Sequence, residues 1–185
     1  MKGFCPSFVT VEGGSLRKPA ALEIGEEFTR RVNALPAPTP APLSKPFDLL
    51  VGGVGGTGVV TVGALITMAA HLEGKGASVL DFMGFAQKGG SVLSYVRLAQ
   101  KPDQLHQVRI DYGMADALIA CDMIVGTDPR AINVLRHDHT RIIVNLSELP
   151  SGDFVLDRNA DMQADLRINT LQQAVGKERV DTLDA

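Results

Sequence analysis

A glycine-rich segment, Gly52-Gly53-Val54-Gly55-Gly56-Thr57-Gly58, constrains the fold more than any other part of the chain. It stands between a short apolar run and a long apolar segment. Glycines allow a tight turn and close approach of the backbone to a ligand, and free N–H groups at the start of a following helix attract an anion. The order strand, glycine turn and helix therefore predicts a phosphate-binding loop, in which Gly53, Gly55 and Gly58 match the G-x-G-x-x-G pattern.

Composition narrows the class of protein. The chain has 185 residues, of which 45% are apolar and 21% charged, as in an ordinary globular domain with its own core. A net charge of −3 gives no reason to expect nucleic acid or an acidic membrane as a partner. The apolar segment after the glycines is too short to span a bilayer, and we see no signal peptide. Two distant cysteines indicate a reducing compartment, so we expect a cytoplasmic protein.

Prolines divide the chain into zones. Residues 36–46, PAPTPAPLSKP, predict an extended linker, because proline lacks the N–H donor that helices and central strands need. The preceding residues 1–35 are irregular, apart from a short amphipathic helix predicted within Leu22–Leu35. We expect the main domain to begin near Phe47.

From Phe47 onward, predicted strands and helices alternate. This alternation predicts an α/β fold, with a doubly wound, mostly parallel sheet and helices on both faces in a Rossmann-like three-layer domain. The strands are predicted at Phe47–Val51, Ala77–Phe82, Ser91–Leu98, Met123–Gly126 and Arg141–Leu146, and the helices at Val59–Glu73, at Ala115–Ala120, from Asp128-Pro129 onward and at Asp161–Val175.

Ligands of such sheets bind beyond the carboxyl ends of the strands. Besides the glycine loop, this rule selects the loops Gly84–Gly90, Thr127–Asp128 and Asn145–Ser147. In the first of these, a lysine and an amide beside a second glycine pair suit a phosphate, and a solvated turn is the alternative. The residues concerned are Gln87, Lys88, Gly89 and Gly90.

Other polar residues suggest weaker alternatives. Asp81 lies near the end of the second predicted strand, 23 residues after Gly58. An acid at about this spacing contacts the ribose 2′-OH in a dinucleotide-binding unit. This position favours a nicotinamide cofactor, unless Asp81 only accepts hydrogen bonds from loop N–H groups. His137-Asp138-His139 lacks a third metal ligand at a useful spacing and predicts a solvated turn. Cys121 is predicted to be a small core residue, and Cys5 taken alone a free thiol.

Three segments carry a resemblance to a known family. GGVGGTGVVTVGALITMAA and DFMGFAQKGGSVLSYVRLA resemble the gamma-subunit domain of the 2-oxoacid:ferredoxin oxidoreductases. The second segment is most similar to the long fused indolepyruvate ferredoxin oxidoreductases. The N-terminal KGFCPSFVTVEGG resembles the segment that follows the thiamine diphosphate domain in the fused chains. The resemblance covers Phe47 to Leu146 and this short N-terminal piece.

The resemblance implies a function for the whole enzyme and a role for this domain. A 2-oxo acid is decarboxylated on thiamine diphosphate, electrons leave through iron–sulfur clusters to ferredoxin, and the acyl group passes to coenzyme A. This domain would bind coenzyme A and pack against the thiamine-binding and iron–sulfur domains of a homo-oligomeric enzyme, without catalytic residues of its own. Cys5 would be an iron–sulfur ligand in the full-length enzyme only. The implied coenzyme A contacts are Gly53, Gly55, Gly56, Thr57, Gly58, Gln87, Lys88, Gly89 and Gly90.

The chain also departs from the family pattern. Lys88 stands where many gamma domains have an arginine, and a lysine cannot form the bidentate fork of a guanidinium. The thiamine motifs and the other cluster cysteines are missing, and the family domain would continue beyond Ala185. We therefore expect an inactive fragment with a remnant at 1–35, a linker at 36–46 and a truncated gamma-type domain at 47–185. An NAD(P)-binding oxidoreductase domain and a non-catalytic assembly module remain as alternatives.

Overall fold

The computed structural model describes residues 12–14, 25–37, 39, 42–83, 90–146 and 161–184. The chain divides into two units, Met1–Ala41 and Pro42–Ala185. The first contains helix α1 (Glu26–Asn33), inside the range predicted for a short helix. The described residues between 36 and 46 form neither helix nor strand, and the limits of the linker stay a prediction.

The second unit contains a six-stranded sheet among its described residues, in the order β2-β3-β1-β4-β5-β6. Neighbouring pairs among β1, β4, β5 and β6 are parallel, whereas β3 is antiparallel to both of its neighbours. Five strands therefore run in one direction, which confirms the mostly parallel α/β fold. The strands are β1 (Phe47–Val54), β2 (Gly76–Met83), β3 (Ser91–Ala99), β4 (Ala117–Ala120), β5 (Arg141–Asn145) and β6 (Val180–Leu183).

Helices cover both faces of the sheet, because alternate residues of each strand face opposite sides. Helix α2 (Val59–Leu72) packs on one face, over a core that contains Leu49, Val51 and Val96. The other face carries the larger core, which includes Leu50, Leu93, Leu118, Ile142 and Leu171. It is covered by α3 (Met123–Gly126), α4 (Pro129–Ile132) and α5 (Ala164–Val175).

The outer side of α2 is apolar and exposed. Leu65, Met68 and Leu72 have exposed fractions of 65%, 56% and 79%. Among the described residues, no further layer covers this side of the helix. No helix among the described residues combines the length and the apolar character needed to cross a bilayer.

Two predicted elements between residues 115 and 126 are wrong. Ala115–Ala120 was expected to be helical, but β4 forms there because it pairs in parallel with β1 and buries Leu118 and Ala120. Met123–Gly126 was expected to be a strand, but it forms α3. The carboxylate of Asp122 accepts a hydrogen bond from the N–H of Val125 at 2.8 Å, and this N-cap outweighs the strand preference of Ile124 and Val125.

The other predicted elements are confirmed, with small shifts at their ends. Strand β1 is three residues longer than predicted and ends at Val54, and the predicted helix at Asp161–Val175 begins at Ala164. Strand β6 was not predicted; it pairs with β5 and completes the parallel part of the sheet.

Candidate phosphate-binding site

The glycine turn joins β1 directly to α2. Because β1 ends at Val54, the turn itself consists of Gly55–Gly58. Gly58 is the N-cap of α2, with a φ of 92°, a left-handed conformation that glycine adopts without the steric penalty of a side chain. Thr57 closes the turn, since its N–H and its hydroxyl both donate to the carbonyl oxygen of Val54, at 3.2 and 2.7 Å. The predicted link between the first strand and a helix that begins near residue 59 is confirmed.

Close packing behind the turn requires glycine at position 53. A Cβ atom on Gly53 would lie 2.7 Å from Cγ2 of Val59 and 2.9 Å from Cβ of Cys121. The end of β1 therefore lies against both the first turn of α2 and the residue that follows β4. The N–H of Cys121 also donates to the carbonyl oxygen of Gly52 at 2.7 Å, which joins the ends of the two strands.

Gly90, the last residue of the second predicted loop, meets the glycine turn at this edge of the sheet. The N–H of Gly55 donates to the carbonyl oxygen of Gly90 at 2.8 Å, and a Cβ on Gly55 would lie 3.3 Å from the same oxygen. Residues 84–89, which connect β2 to β3, lie outside the described residues. The roles predicted for Gln87, Lys88 and Gly89 stay predictions, as does the role of Cys5, which also lies outside them.

The start of α2 leaves donors available to a ligand. Among the described residues, no acceptor is present for the N–H groups of Gly56, Gly58, Val59 and Val60. Those of Gly58, Val59 and Val60 belong to the first N–H groups of the helix, which it cannot satisfy internally, and the helix dipole adds partial positive charge there; that of Gly56 belongs to the preceding turn. The first turn of α2 itself contains no acidic residue that would oppose this positive potential. The arrangement suits an anion such as a phosphate.

Asp122 holds the end of β1 in place through hydrogen bonds to the backbone. Its carboxylate is fully buried and accepts hydrogen bonds from the N–H groups of Val54, at 2.7 Å, and Val125. Burial raises the pKa of Asp122, an effect that these hydrogen bonds and the positive charge of Arg167 partly oppose. The carboxylate fixes the last residue of β1 just before the glycine turn.

Arg130 brings a positive charge to the same edge. It lies on α4 and forms a bidentate pair with Asp128, at 3.0 Å from Nε to Oδ1 and 2.7 Å from Nη2 to Oδ2. Nη2 also donates to the hydroxyl of Ser91, the register partner of Val54. The hydrogen bonds from Arg130 lower the pKa of Asp128, so the pair is ionised at neutral pH.

A match to a family model over most of the chain identifies the family. Residues 48–180 match the family model described as pyruvate ferredoxin/flavodoxin oxidoreductase. The chain belongs to this family. No curated protein matches the chain.

Solved structures with a similar architecture include two oxidoreductase chains. One is the pyruvate oxidoreductase subunit PORC from Thermotoga maritima, at 17% identity and a TM-score of 0.49, with 77% of this chain and 64% of that chain covered. The other is the 2-oxoglutarate:ferredoxin oxidoreductase from Magnetococcus marinus with 2-oxoglutarate, coenzyme A and succinyl-CoA bound. It shares 18% identity, with a TM-score of 0.49, and the match covers 76% of this chain and 20% of that chain. The chain therefore spans less than two thirds of the length of either of these two proteins.

A third similar structure is the gamma subunit of a keto/oxoacid ferredoxin oxidoreductase from Geobacter sulfurreducens PCA. It shares 20% identity, with a TM-score of 0.41, and the match covers 72% of this chain and 81% of that chain. The family model thus confirms the predicted resemblance at the level of the oxidoreductase family, while the indolepyruvate type stays a proposal.

The sequence did not predict a role at the site for three polar residues. Ser91 and Arg130 lie at the glycine edge, and Arg167 donates to the hydroxyl of Thr127 at 2.6 Å. The signal for Arg130 was present, because the loop at Thr127–Asp128 lies at the carboxyl edge of the sheet and a helix was predicted from Asp128-Pro129 onward. Asp128 is the N-cap of that helix, since its carboxylate accepts a hydrogen bond from the N–H of Arg130 at 2.9 Å.

Asp81 does not lie where a dinucleotide-binding acid would be needed. Its strand, β2, is separated from β1 by β3, so two strand spacings, about 10 Å, lie between Asp81 and the strand that carries the glycine turn. The hydroxyl of its register partner, Ser94, donates to its carboxylate. Asp81 therefore has a partner inside the sheet and lies away from the glycine turn.

Around the histidine pair, as elsewhere among the described residues, no group of three or more His, Cys, Asp or Glu side chains is arranged to hold a metal ion. Residues 137–139 form the predicted turn. Nε2 of His139 lies 2.6 Å from Oδ1 of Asp116, so this side chain helps to hold the turn against the start of β4.

Proposed function

We propose that this chain is the coenzyme A-binding and assembly domain of a cytoplasmic 2-oxoacid:ferredoxin oxidoreductase of the indolepyruvate type. Thiamine diphosphate and iron–sulfur clusters, bound by other parts of that homo-oligomeric enzyme, supply the chemistry of decarboxylation and of electron transfer to ferredoxin. The residues of this chain bind and orient the coenzyme A that accepts the acyl group. Membership of the oxidoreductase family supports the reaction class.

The contact between Gly55 and Gly90 carries the proposal. It places Gly90, the end of the second glycine-rich segment, beside the open N–H groups at the start of α2. Coenzyme A contains a pyrophosphate, and these N–H groups donate to its oxygens while the helix dipole stabilises its negative charge. We assign the same function to the Lys88 ammonium, as a point charge beside the second glycine pair.

The geometry disfavours the nicotinamide alternative. A dinucleotide site needs an acid at the end of the strand beside the glycine turn. Asp81 lies on an edge strand with β3 in between, and Ser94 already donates to its carboxylate. The assembly role is supported by a different feature, the exposed apolar side of α2 formed by Leu65, Met68 and Leu72, because a large exposed apolar patch marks an interaction surface.

Titration calorimetry with coenzyme A and NAD tests the proposal. We expect the chain to bind coenzyme A more tightly than NAD, and Gly55→Val to weaken coenzyme A binding strongly because its side chain would enter the space beside the Gly90 carbonyl. Lys88→Ala should weaken binding by about 1–3 kcal/mol, the range for a lost hydrogen bond to a charged group. Gly25→Val is the matched control, since a Cβ there meets nothing within 4 Å.

Two results would contradict the proposal. One is tighter binding of NAD than of coenzyme A, lost in Asp81→Ala, which would establish the nicotinamide alternative. The other is unchanged coenzyme A binding by the Gly55→Val variant, both in this chain and in the enzyme that contains it.

A further inference from the structure

Phe82 is an aromatic side chain left half exposed at the edge of the sheet where ligands bind. It is the penultimate residue of β2 and has an exposed fraction of 49%. Its register partner is Leu93, whose own partner on β1 is Gly52. Side chains opposite one another in register share a face, so the ring lies on the side of the sheet that carries α4.

The ring is held in place by the charged group described above. The guanidinium carbon of Arg130 lies 5.5 Å from the centroid of the Phe82 ring, within the range of a cation–π interaction. Arg130 is itself fixed by its two hydrogen bonds to Asp128 and by the hydroxyl of Ser91. A contiguous series of contacts therefore links the ring to the glycine turn, through Arg130, Ser91 and its register partner Val54.

We propose that Phe82 is the stacking platform for the adenine ring of coenzyme A, and that Arg130 is a positioning residue for this platform. This inference rests on the proposed function and adds the residue that recognises the nucleotide half of the ligand. Phe82 lies two strand spacings, about 10 Å, to one side of β1. Adenine is separated from the pyrophosphate of coenzyme A by a single ribose, so one molecule can reach both sites.

The chemistry of the platform favours a base. Stacking of a nucleobase on an aromatic side chain covers apolar surface and tolerates the polar rim of the base. An apolar protein side chain would also cover the ring, but the side chain that lies against Phe82 is the charged Arg130. Arg130 is in turn hydrogen-bonded to the carboxylate of Asp128 and the hydroxyl of Ser91. Polar groups around one flat apolar surface are what a small heteroaromatic ligand requires.

Calorimetry with three probes tests this inference in the 185-residue chain: coenzyme A, adenosine 3′,5′-bisphosphate and 4′-phosphopantetheine. Phe82→Leu keeps an apolar side chain but removes the ring. We expect it to weaken binding of the two adenine-containing probes by about 5-fold to 150-fold, the range that corresponds to stacking of one base. Binding of 4′-phosphopantetheine should not change.

Two further variants complete the test. Phe82→Tyr retains the ring and should bind all three probes as the wild type does, which separates stacking from folding. Met83→Ala is the matched control, because Met83 is the next residue of β2, has an exposed fraction of 40% and faces the other side of the sheet. It should leave the affinity for coenzyme A unchanged.

The outcomes separate the two proposals. If the wild type binds coenzyme A and Phe82→Leu binds it equally well, the adenine platform is refuted while coenzyme A binding stands. The same conclusion follows if Phe82→Leu changes only the association of the chain with the thiamine-binding part of the enzyme. If the wild type binds neither coenzyme A nor adenosine 3′,5′-bisphosphate, both proposals fail.

Discussion

The guanidinium of Arg97 forms two hydrogen bonds with the carboxylate of Asp48, at 2.6 Å from Nε to Oδ1 and 3.2 Å from Nη2 to Oδ2. The two residues are register partners in β3 and β1, and both are buried. The N–H of Asp48 also donates to the carboxylate of Asp116 at 2.9 Å. This pair lies near the start of β1, at the opposite end of the strand from the glycine turn, and joins the antiparallel and parallel parts of the sheet.

Replacing Arg97 tests how much this pair stabilises the sheet. Arg97→Met should lower the free energy of unfolding by about 3–5 kcal/mol, because it leaves the carboxylate of Asp48 buried without its counter-charge. The exposed pair of Arg141 and Asp181, 3.8 Å apart, offers a matched control, and Arg141→Met should cost less than about 1 kcal/mol. Urea unfolding measures both values, and equal costs for the two variants would contradict the prediction.

The pH dependence of the unfolding free energy should show the stabilisation that Asp128 gains from its ion pair with Arg130. The pKa of Asp128 is lowered by Arg130, so the ionised carboxylate is stabilised in the folded state. Its contribution is therefore present above the unfolded pKa of about 4, and is lost as the pH falls through the lower folded pKa. We expect the difference in unfolding free energy between the wild type and Asp128→Asn to shrink as the solution is acidified.

Asp122 supplies the internal control for that measurement. Burial raises the pKa of Asp122, so its contribution has the opposite sign and is lost as the pH rises above the unfolded value. The penalty of Asp122→Asn relative to the wild type should therefore become smaller as the pH increases through the acidic range. The same pH trend in both variants would show that the two carboxylates are not in the environments described here.

The close packing around Gly53 predicts that even a methyl side chain at this position lowers the free energy of unfolding. Gly53→Ala places a methyl group 2.7 Å from Val59 and 2.9 Å from Cys121, so the turn must shift, at a cost of about 1–3 kcal/mol. Gly25→Ala, at a position with open space around it, should leave stability nearly unchanged. Thermal unfolding of both variants measures the difference, and a neutral Gly53→Ala would show that the turn adapts without cost.

The sequence predicted the parts of the fold that local chemistry determines. The glycine turn, β1 and α2 were identified because a strand, a glycine run and an apolar helix each leave a clear local pattern. The elements between 115 and 126 were wrong because tertiary contacts outweigh their propensities. Ala117–Ala120 contains helix-forming residues but pairs with β1, and Met123–Gly126 contains β-branched residues but is capped by Asp122.

The candidate site was predicted in part for the same reason. The glycines were found from their spacing, and the edge rule selected the loop before α4. The contacts among Ser91, Arg130 and Phe82 form because β3 lies between β2 and β1 in the sheet. No local sequence pattern predicts that strand order. Asp81 was a plausible ribose-binding acid only as long as β2 was assumed to lie beside β1.

Removal of the N-terminal unit tests the predicted domain boundary. A chain that begins at Pro42 should unfold at the same temperature as the full chain, because the sheet and both of its cores lie within residues 47–183. The control is a chain that begins at Leu50, which removes Asp48 and therefore leaves Arg97 buried without its partner. A large loss of stability in the first deletion would show that residues 1–41 belong to the main folding unit.

The last prediction concerns activity. The chain alone should not reduce a viologen dye when it is given indolepyruvate, thiamine diphosphate, ferredoxin and coenzyme A. Its two cysteines cannot provide the four thiolates that an iron–sulfur cluster requires, so it has no route for the electrons. The enzyme that contains this domain is the positive control, and Gly55→Val in that enzyme should raise the KM for coenzyme A with little change in the KM for the oxo acid. Dye reduction by the purified chain that depends on the oxo acid would contradict the assignment of the redox chemistry to other parts of the enzyme.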